Sequence, residues 1–387
     1  MKSKYLFLAL SAMALVTGCS NDETIEVNQG NGIDFSVTAG KLTRAQATTT
    51  TSINQFKVWA FTGTPAQLYM DNITVNKTDD KWTYSGTKFW PETSVDFFAV
   101  SPASPQSGTV TVNTSEKKIT DYVVNGAEDL LYSMNAGETK DDHKSSSVNI
   151  NFRHALSQIV FMVRKTETSS INVSIQSIKV DGVASKSTLE WATNTTGPNM
   201  ASDESKDTET DNTWGRWATP TDNTSYTAFS LTTAYPVTTT ASYLTTEAGN
   251  GALFLMPQKL NEWLSVVNGE TKITGTARLL INCKITDVTS GIQLWPKTGD
   301  FGEVAVSLTN PTNDPNKTDA DDHARWMQGK KYIYTLIFGE GAGYDPDPDP
   351  DPEDPDKPEP VLVPITFTVT VDEFQDGGSY NIDMSTK

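Results

Sequence analysis

Apolar residues recur along this chain with a period of two, in short runs, and no stretch carries the period of a long amphipathic helix. A period of two sends every second side chain to one face of an extended strand. Thr, Val, Ile, Tyr, Phe and Trp fill the runs, and Gly, Asn, Asp and Pro cluster between them. That is the pattern of strands joined by turns. Strands are expected from Phe56 to Phe61, Lys81 to Tyr84, Val95 to Val100, Val148 to Val163, Ala252 to Met256, Thr276 to Ile285 and Lys331 to Phe338. The run from Val148 to Val163 is apolar on both faces. Ala155, Ser157, Ile159, Phe161 and Val163 form one row; Phe152, His154, Leu156, Val160 and Met162 form the other. A strand covered on both faces suits the middle of a sheet. Between Ile171 and Val180 the phase slips, because Ile171, Val173 and Ile175 give way to Ile178 and Val180. One extra residue near Gln176–Ser177, a β-bulge, would account for the slip. The expected fold class is all-β, built from β-sandwiches.

Near the C-terminus the alternation is cleanest. Val361, Val363, Ile365, Phe367, Val369 and Val371 share one face, and Thr366, Thr368 and Thr370 share the other. This segment, 361–387, is too short to be a domain, and two strands alone are marginal. Its apolar row must therefore be buried against something else, either its own domain or a sheet edge of another molecule. It follows a stretch from Asp345 to Pro360 made of Asp, Pro, Glu and one Lys. Proline at nearly every second position forbids helix and ladder pairing. Charge repulsion and polyproline geometry would extend the stretch to roughly 50 Å at about 3.1 Å per residue. A calcium loop needs oxygens converging on a turn, and a straight, glycine-free stretch does not supply that.

The N-terminus speaks to export. Lys2 and Lys4 precede an apolar run from Tyr5 to Val16, and Val16-Thr17-Gly18-Cys19 follows. As a helix the run would reach roughly 18 Å, short of the ~30 Å hydrocarbon core of a membrane. The order basic, apolar, small is that of a secretory signal peptide, expected over 1–18. Val-Thr-Gly-Cys resembles the lipobox of bacterial lipoproteins, and that resemblance implies a lipid on Cys19 that holds the chain to the outer membrane. An ordinary signal peptide containing a Cys is the alternative. Asp22-Glu23 after Ser20-Asn21 resembles surface-export tags of Bacteroidetes lipoproteins.

Composition excludes several classes. The formal net charge is −18 over 387 residues, with no basic footprint for nucleic acid. Only two cysteines occur. With Cys19 lipidated, Cys283 has no intramolecular partner, and its place in the row Leu279, Ile281, Cys283, Ile285 marks it as a buried strand thiol.

Five stretches resemble the fimbrillin family, the type V pilus subunits of Bacteroidetes. They are Leu42-Thr43-Arg44-Ala45; Phe89-Trp90-Pro91 with Phe97-Phe98-Ala99-Val100-Ser101-Pro102; Asp129-Leu130-Leu131-Tyr132-Ser133; Phe152-Arg153-His154-Ala155-Leu156-Ser157; and Trp326-Met-Gln-Gly329-Lys330-Lys-Tyr332-Ile-Tyr334. Met256-Pro257-Gln258 also fits. The resemblance implies two tandem transthyretin-like β-sandwich domains, placed over 19–166 and 167–340, then a spacer over 341–360 and the C-terminal strand extension. It implies other fimbrial subunits as partners, with host or bacterial surface ligands for members that act as adhesins; no cofactor is expected from the residues. It also implies a maturation step, in which an arginine-specific protease cuts between Arg44 and Ala45. The segment before the cut, with its row Ile33, Phe35 and Val37, leaves its domain. A donor strand from the next subunit, here Val361, Val363, Ile365, Phe367, Val369 and Val371, then fills the groove. Members of that family serve as stalk subunits, lipidated anchors or tip adhesins.

Enzymatic chemistry finds little support. His143, His154 and His323 are the only histidines. His154 falls in the doubly apolar strand, and His143 and His323 fall in acidic loops. Asp321, Asp322 and His323 are adjacent residues that bind a metal poorly without a fixed further ligand. No nucleophile elbow, P-loop or dinucleotide signature occurs. The expectation is a non-enzyme without a metal. The competing reading is a cell-surface glycan-binding lipoprotein, with Trp214, Trp217 and Trp263 as a stacking platform.

Overall fold

The computed structural model describes residues 32–39, 53–191, 215–244, 252–309, 325–339, 343–346, 356–359, 361, 366–373 and 380–382. Every regular element among them is a β-strand. The first part of the chain holds β1 (Phe35–Ala39), β2 (Gln55–Thr62), β3 (Gln67–Thr78), β4 (Lys81–Thr83), β5 (Val95–Ser101), β6 (Thr109–Val112), β7 (Lys117–Val123), β8 (Leu131–Glu138) and β9 (Val148–His154). Next come β10 (Ser157–Lys165), β11 (Ile171–Glu190), β12 (Arg216–Trp217), β13 (Thr221–Pro236), β14 (Ser242–Tyr243), β15 (Leu253–Leu255) and β16 (Gln258–Lys259). β17 (Leu264–Val267), β18 (Glu270–Ile273), β19 (Arg278–Asp287), β20 (Gln293–Trp295), β21 (Gly302–Ser307) and β22 (Arg325–Trp326) follow. The order ends with β23 (Lys330–Phe338), β24 (Thr366–Glu373) and β25 (Tyr380–Ile382).

Turn chemistry explains the tightest hairpins. Asp79 and Asp80 take φ of 48° and 62° between the paired residues Thr78 and Lys81. Asn268 and Gly269 take 53° and 85° between Val267 and Glu270. Two successive residues in the left-handed region make the hairpin turn whose twist matches the flanking strands, and Asp, Asn and Gly tolerate that region best.

The strands form three large sheets and two ribbons, β16–β22 and β17–β18. The first sheet runs β1-β9-β8-β5-β2-β3-β4, the second β14-β10-β23-β24-β25 with β15 also on β10. The third runs β20-β19-β11-β7-β6, with β12 and β13 on β11 and β21 on β19. The first sheet curls until its two edges meet, where Phe35 of β1 lies 5.6 Å from Tyr84, just past β4. Phe56, Val58 and Ala60 of β2 face the core enclosed by that curl, with Val95, Phe97 and Ala99 of β5. Trp59, Phe61, Phe98 and Val100 of the same strands face the main core, shared with the other two sheets. Period-two patterning thus serves two cores at once.

One expectation changes here. The run from Val148 to Val163 is not one strand but two, β9 and β10, in different sheets. The break at Ala155–Leu156 is stabilised by other segments. Ala155 N–H donates to Leu130 O at 2.8 Å and Gly329 N–H to Leu156 O at 2.9 Å, while Trp217 Nε1 donates to Ala155 O at 2.6 Å. Every residue from Phe152 to Phe161 is buried, so alternation carries no trace of the break. β7 pairs with β11, from Lys186↔Val123 to Glu190↔Lys118, and β10 pairs with β23, so strands before residue 166 and after residue 167 share two sheets. The expected bulge does occur: the register of β11 against both β13 and β19 shifts between Ile175 and Ser177.

Candidate assembly site

The N-terminal strand is attached in an unusual way. β1 pairs in parallel with β9, from Phe35↔Val148 to Ala39↔Phe152. Among the described residues no strand pairs with its other side. On that side the approach to β1 is held: Ile33 N–H donates to Lys88 O at 2.8 Å, Tyr84 Oη donates to Ile33 O at 2.7 Å, and Gly32 bridges to Phe89. Ile33 and Phe35 are buried, and Val37 packs on the same core. The Phe35 ring sits among three others, 6.0 Å from Phe56, 5.7 Å from Phe97 and 5.6 Å from Tyr84. The contacts with Phe56 and Phe97 are edge-to-face, the geometry aromatic pairs prefer. Burial raises the Tyr84 phenol above its ordinary value, opposed by the N–H that Lys88 donates to it. Burying Ile33 and Phe35 is worth roughly 3–6 kcal/mol at ~1.5–3 each. Arg44 and Ala45 lie outside the described residues, in the chain between Ala39 of β1 and Ile53 before β2.

The C-terminal strand lies against its own chain. β24 runs antiparallel to β23, from Lys330↔Glu373 to Ile337↔Thr366, and β25 pairs with β24. Val369 stands opposite Tyr334 and is fully buried in the main core, which Val361 also joins. Thr366 to Glu373 place Phe367 and Val371 on this strand by backbone register; Val363 and Ile365 lie outside the described residues.

The acidic stretch before it does not run straight away from the body. Asp345 N–H donates to Glu359 O at 2.8 Å, and Val361 N–H donates to Gly343 O at 2.7 Å. Tyr344 exchanges two backbone hydrogen bonds with Ala305, at 2.7 and 2.9 Å, and Ile273 N–H donates to Asp356 O at 2.8 Å. The two ends are therefore clamped together on β21 and β18. Backbone bonding overrides the extension that charge and proline favour.

Other singled-out residues are structural. His154 Nδ1 lies 3.0 Å from both carboxylate oxygens of Asp129, and both residues are buried. Tyr132 Oη accepts from Gly215 N–H at 3.0 Å and from Gln328 Nε2 at 2.8 Å. Trp326 Nε1 donates to Tyr334 Oη at 2.9 Å, Met327 N–H to Tyr332 Oη at 2.8 Å, and Ser157 Oγ to Met327 O at 2.7 Å. Three of the motif stretches read from sequence thus meet around the β9–β10 break. Their meeting is a tertiary fact that spacing along the chain does not carry. His143 Nε2 pairs with Glu138 Oε2 at 2.6 Å, and its ring stacks on Trp90 at 5.3 Å. Cys283 is buried, and burial pushes its thiol up to about 12. Of the three tryptophans that the competing reading makes a glycan platform, Trp263 is buried and Trp217 half-buried with its N–H committed to Ala155. Trp214, like Cys19, Asp321, Asp322 and His323, lies outside the described residues. No metal-binding group of side chains occurs among the described residues.

The comparisons with known proteins agree in kind. The sequence profile described as fimbrillin-like matches residues 43–348. A fimbrial protein from Bacteroides vulgatus is 17% identical and superposes with a TM-score of 0.55, covering 89% of this chain and 100% of that one. Putative cell adhesion proteins from Bacteroides eggerthii and Bacteroides uniformis are 13% and 12% identical, with TM-scores of 0.45 and 0.43. The first covers 89% of this chain and 96% of its own; the second covers 89% and 100%. The likeness to the Bacteroides vulgatus protein is one of fold. No curated protein matches the chain by sequence.

Proposed function

Since this chain belongs to the fimbrillin-like family, we propose that it is a subunit of a bacterial surface fimbria, exported as a lipoprotein and joined to its neighbours by exchange of strands. Assembly with other fimbrial subunits at the cell surface follows from family membership; the route is our reading. The signal peptide carries the chain out, and Cys19 takes the lipid at the outer membrane. Cleavage between Arg44 and Ala45 severs β1 from β2. The freed segment leaves, and an apolar strand from another subunit, Val361 to Val371, takes its place.

The observation that supports this reading is the attachment of β1. It is a short parallel strand with one ladder, laid over an aromatic-lined core, and the Arg44–Ala45 bond lies in its only covalent link to the rest of the described body. Once cut, it is held by five ladder positions and a few side chains. An emptied groove exposes apolar surface at ~25 cal/mol per Å², which drives refilling.

N-terminal sequencing of protein from cells tests the route. The processed form begins at Ala45, and Arg44→Gln leaves a lipidated chain beginning at Cys19. Electron microscopy of the cut protein should show filaments, absent for Arg44→Gln. Protein that begins at Ala45 and stays monomeric at every concentration would sink strand exchange.

A further inference from the structure

The first strand and the C-terminal strand carry the same residues in the same order. Ile33-Asp34-Phe35-Ser36-Val37-Thr38 and Ile365-Thr366-Phe367-Thr368-Val369-Thr370 agree at Ile, Phe, Val and the closing Thr. Each intervening position is polar in both. One other stretch has Ile-x-Phe-x-Val, from Ile159 to Val163, but its intervening residues are Val160 and Met162 and Arg164 follows. That stretch is in β10, which has strands on both sides. The six-residue pattern with polar alternates therefore occurs twice.

The structure gives the repeat a meaning. In the first copy Ile33 and Phe35 are buried and Val37 packs beside them. The Phe35 position is ringed by Phe56, Tyr84 and Phe97, so an aliphatic side chain there forfeits the edge-to-face contacts. In the C-terminal row of Val361, Val363, Ile365, Phe367, Val369 and Val371, Phe367 is the one aromatic. That leaves a single alignment in which a ring enters the ring-lined position and Ile and Val fall in their own places.

We propose that residues 365–370 of a second copy of this chain occupy the place of residues 33–38, parallel to β9, with Ile365, Phe367 and Val369 where Ile33, Phe35 and Val37 lie. Thr368 then stands opposite Asn149, as Ser36 does. This rests on the strand-exchange reading and adds to it that the donor is a second copy of this chain, with its direction and its register. A shift of one residue would turn the Thr row into the core. A shift of two would put a Val or Ile among the three rings. The same strand serves two edges in opposite senses. Against its own β23 it is antiparallel, with Val369 buried opposite Tyr334. In the groove of a neighbour it runs parallel, so a strand engaged at one edge is absent from the other.

Engineered disulfides read the direction and register directly, since a disulfide forms only where Cα atoms come within about 4.4–6.8 Å. Asn149→Cys is exposed at the pairing edge and is combined in the full chain with Thr368→Cys or with Thr366→Cys. With Phe367 in the same position, a parallel strand brings 368 to 149 and an antiparallel one brings 366 to 149. The protein is cleaved after Arg44, which removes Cys19, and oxidised; Cys283 is buried. The Thr368→Cys pair should give a covalent ladder on non-reducing gels about tenfold stronger than the Thr366→Cys pair. A stronger ladder from Thr366→Cys overturns the parallel direction. Oligomers on size-exclusion chromatography with no ladder from either pair overturn the register while strand exchange stands. Cleaved protein that gives neither oligomers nor ladder overturns strand exchange itself.

Discussion

Tyr122, Tyr132, Tyr226 and Tyr334 carry their hydroxyls into the main core. Burial raises each phenol above its ordinary value, most simply at Tyr226, where it reaches about 12. Tyr226 Oη donates to Val124 O at 3.2 Å, a bond that requires the protonated form. In the unfolded chain a tyrosine ionises near 10. Below that pH both states hold the proton and its contribution to stability is complete. Between pH 10 and 12 the unfolded chain releases protons that the folded chain keeps, so stability falls as pH rises through that window. The guanidinium midpoint should therefore drop steadily from pH 10 to 12, and Tyr226→Phe should flatten part of the drop. Absorbance at 295 nm should show a set of tyrosines that ionise only on unfolding. Native titration of every tyrosine near 10 would contradict the burial described. At this scale the sequence was informative about Cys283 and His154, whose alternating apolar neighbours place them inside. It was silent on Asp129 as the partner of His154, twenty-five residues away.

Among the elements, β11 joins β7, β12, β13 and β19 in one sheet, and its bulge keeps its apolar residues on one side. Ile175 and Ile178 are both fully buried although they are three positions apart. Gln176 is the extra residue, and its side chain accepts from Asn282 Nδ2 at 3.0 Å. Deleting Gln176 leaves Ile171, Val173, Ile175, Ile178 and Val180 in strict alternation, so the fold should survive with a loss of about 1 kcal/mol, the net worth of an ordinary hydrogen bond. Deleting Ser174 instead turns one side of the strand over, and that chain should fail to give soluble folded protein. Urea denaturation and circular dichroism separate the two; equal effects would mean that the bulge does not set the phase. The slip was legible because it leaves a mark in the apolar pattern. The β9–β10 break was not, because Phe152, Leu156 and Ile159 are buried whichever sheet they belong to.

At the scale of the whole molecule, the clamp between residues 343–346 and 356–361 decides where the C-terminal strand rests. Gly343 has φ of +95°, and a Cβ there would come 2.6 Å from Ala305 O. Only glycine takes that position without strain. Gly343→Val should loosen the clamp while leaving the three sheets intact, and limited proteolysis should then cut between 346 and 366 several-fold faster than in the wild type. An unchanged cleavage rate would mean that the strand is held by β23 alone. Alternation in the sequence by itself determined that the chain is all-β, where most strands lie and which face of each is apolar. It also marked the segments before Arg44 and after Pro360 as apolar strands beside unusual connections. Only the tertiary structure decided that β1 lies parallel on β9, that β24 lies on β23, and that the acidic stretch closes on itself. The reason is physical. Side-chain patterning chooses the face of a strand, whereas pairing is made along its edges by backbone N–H and C=O groups that are alike at nearly every residue. Which edges meet is therefore settled by how all the faces pack together.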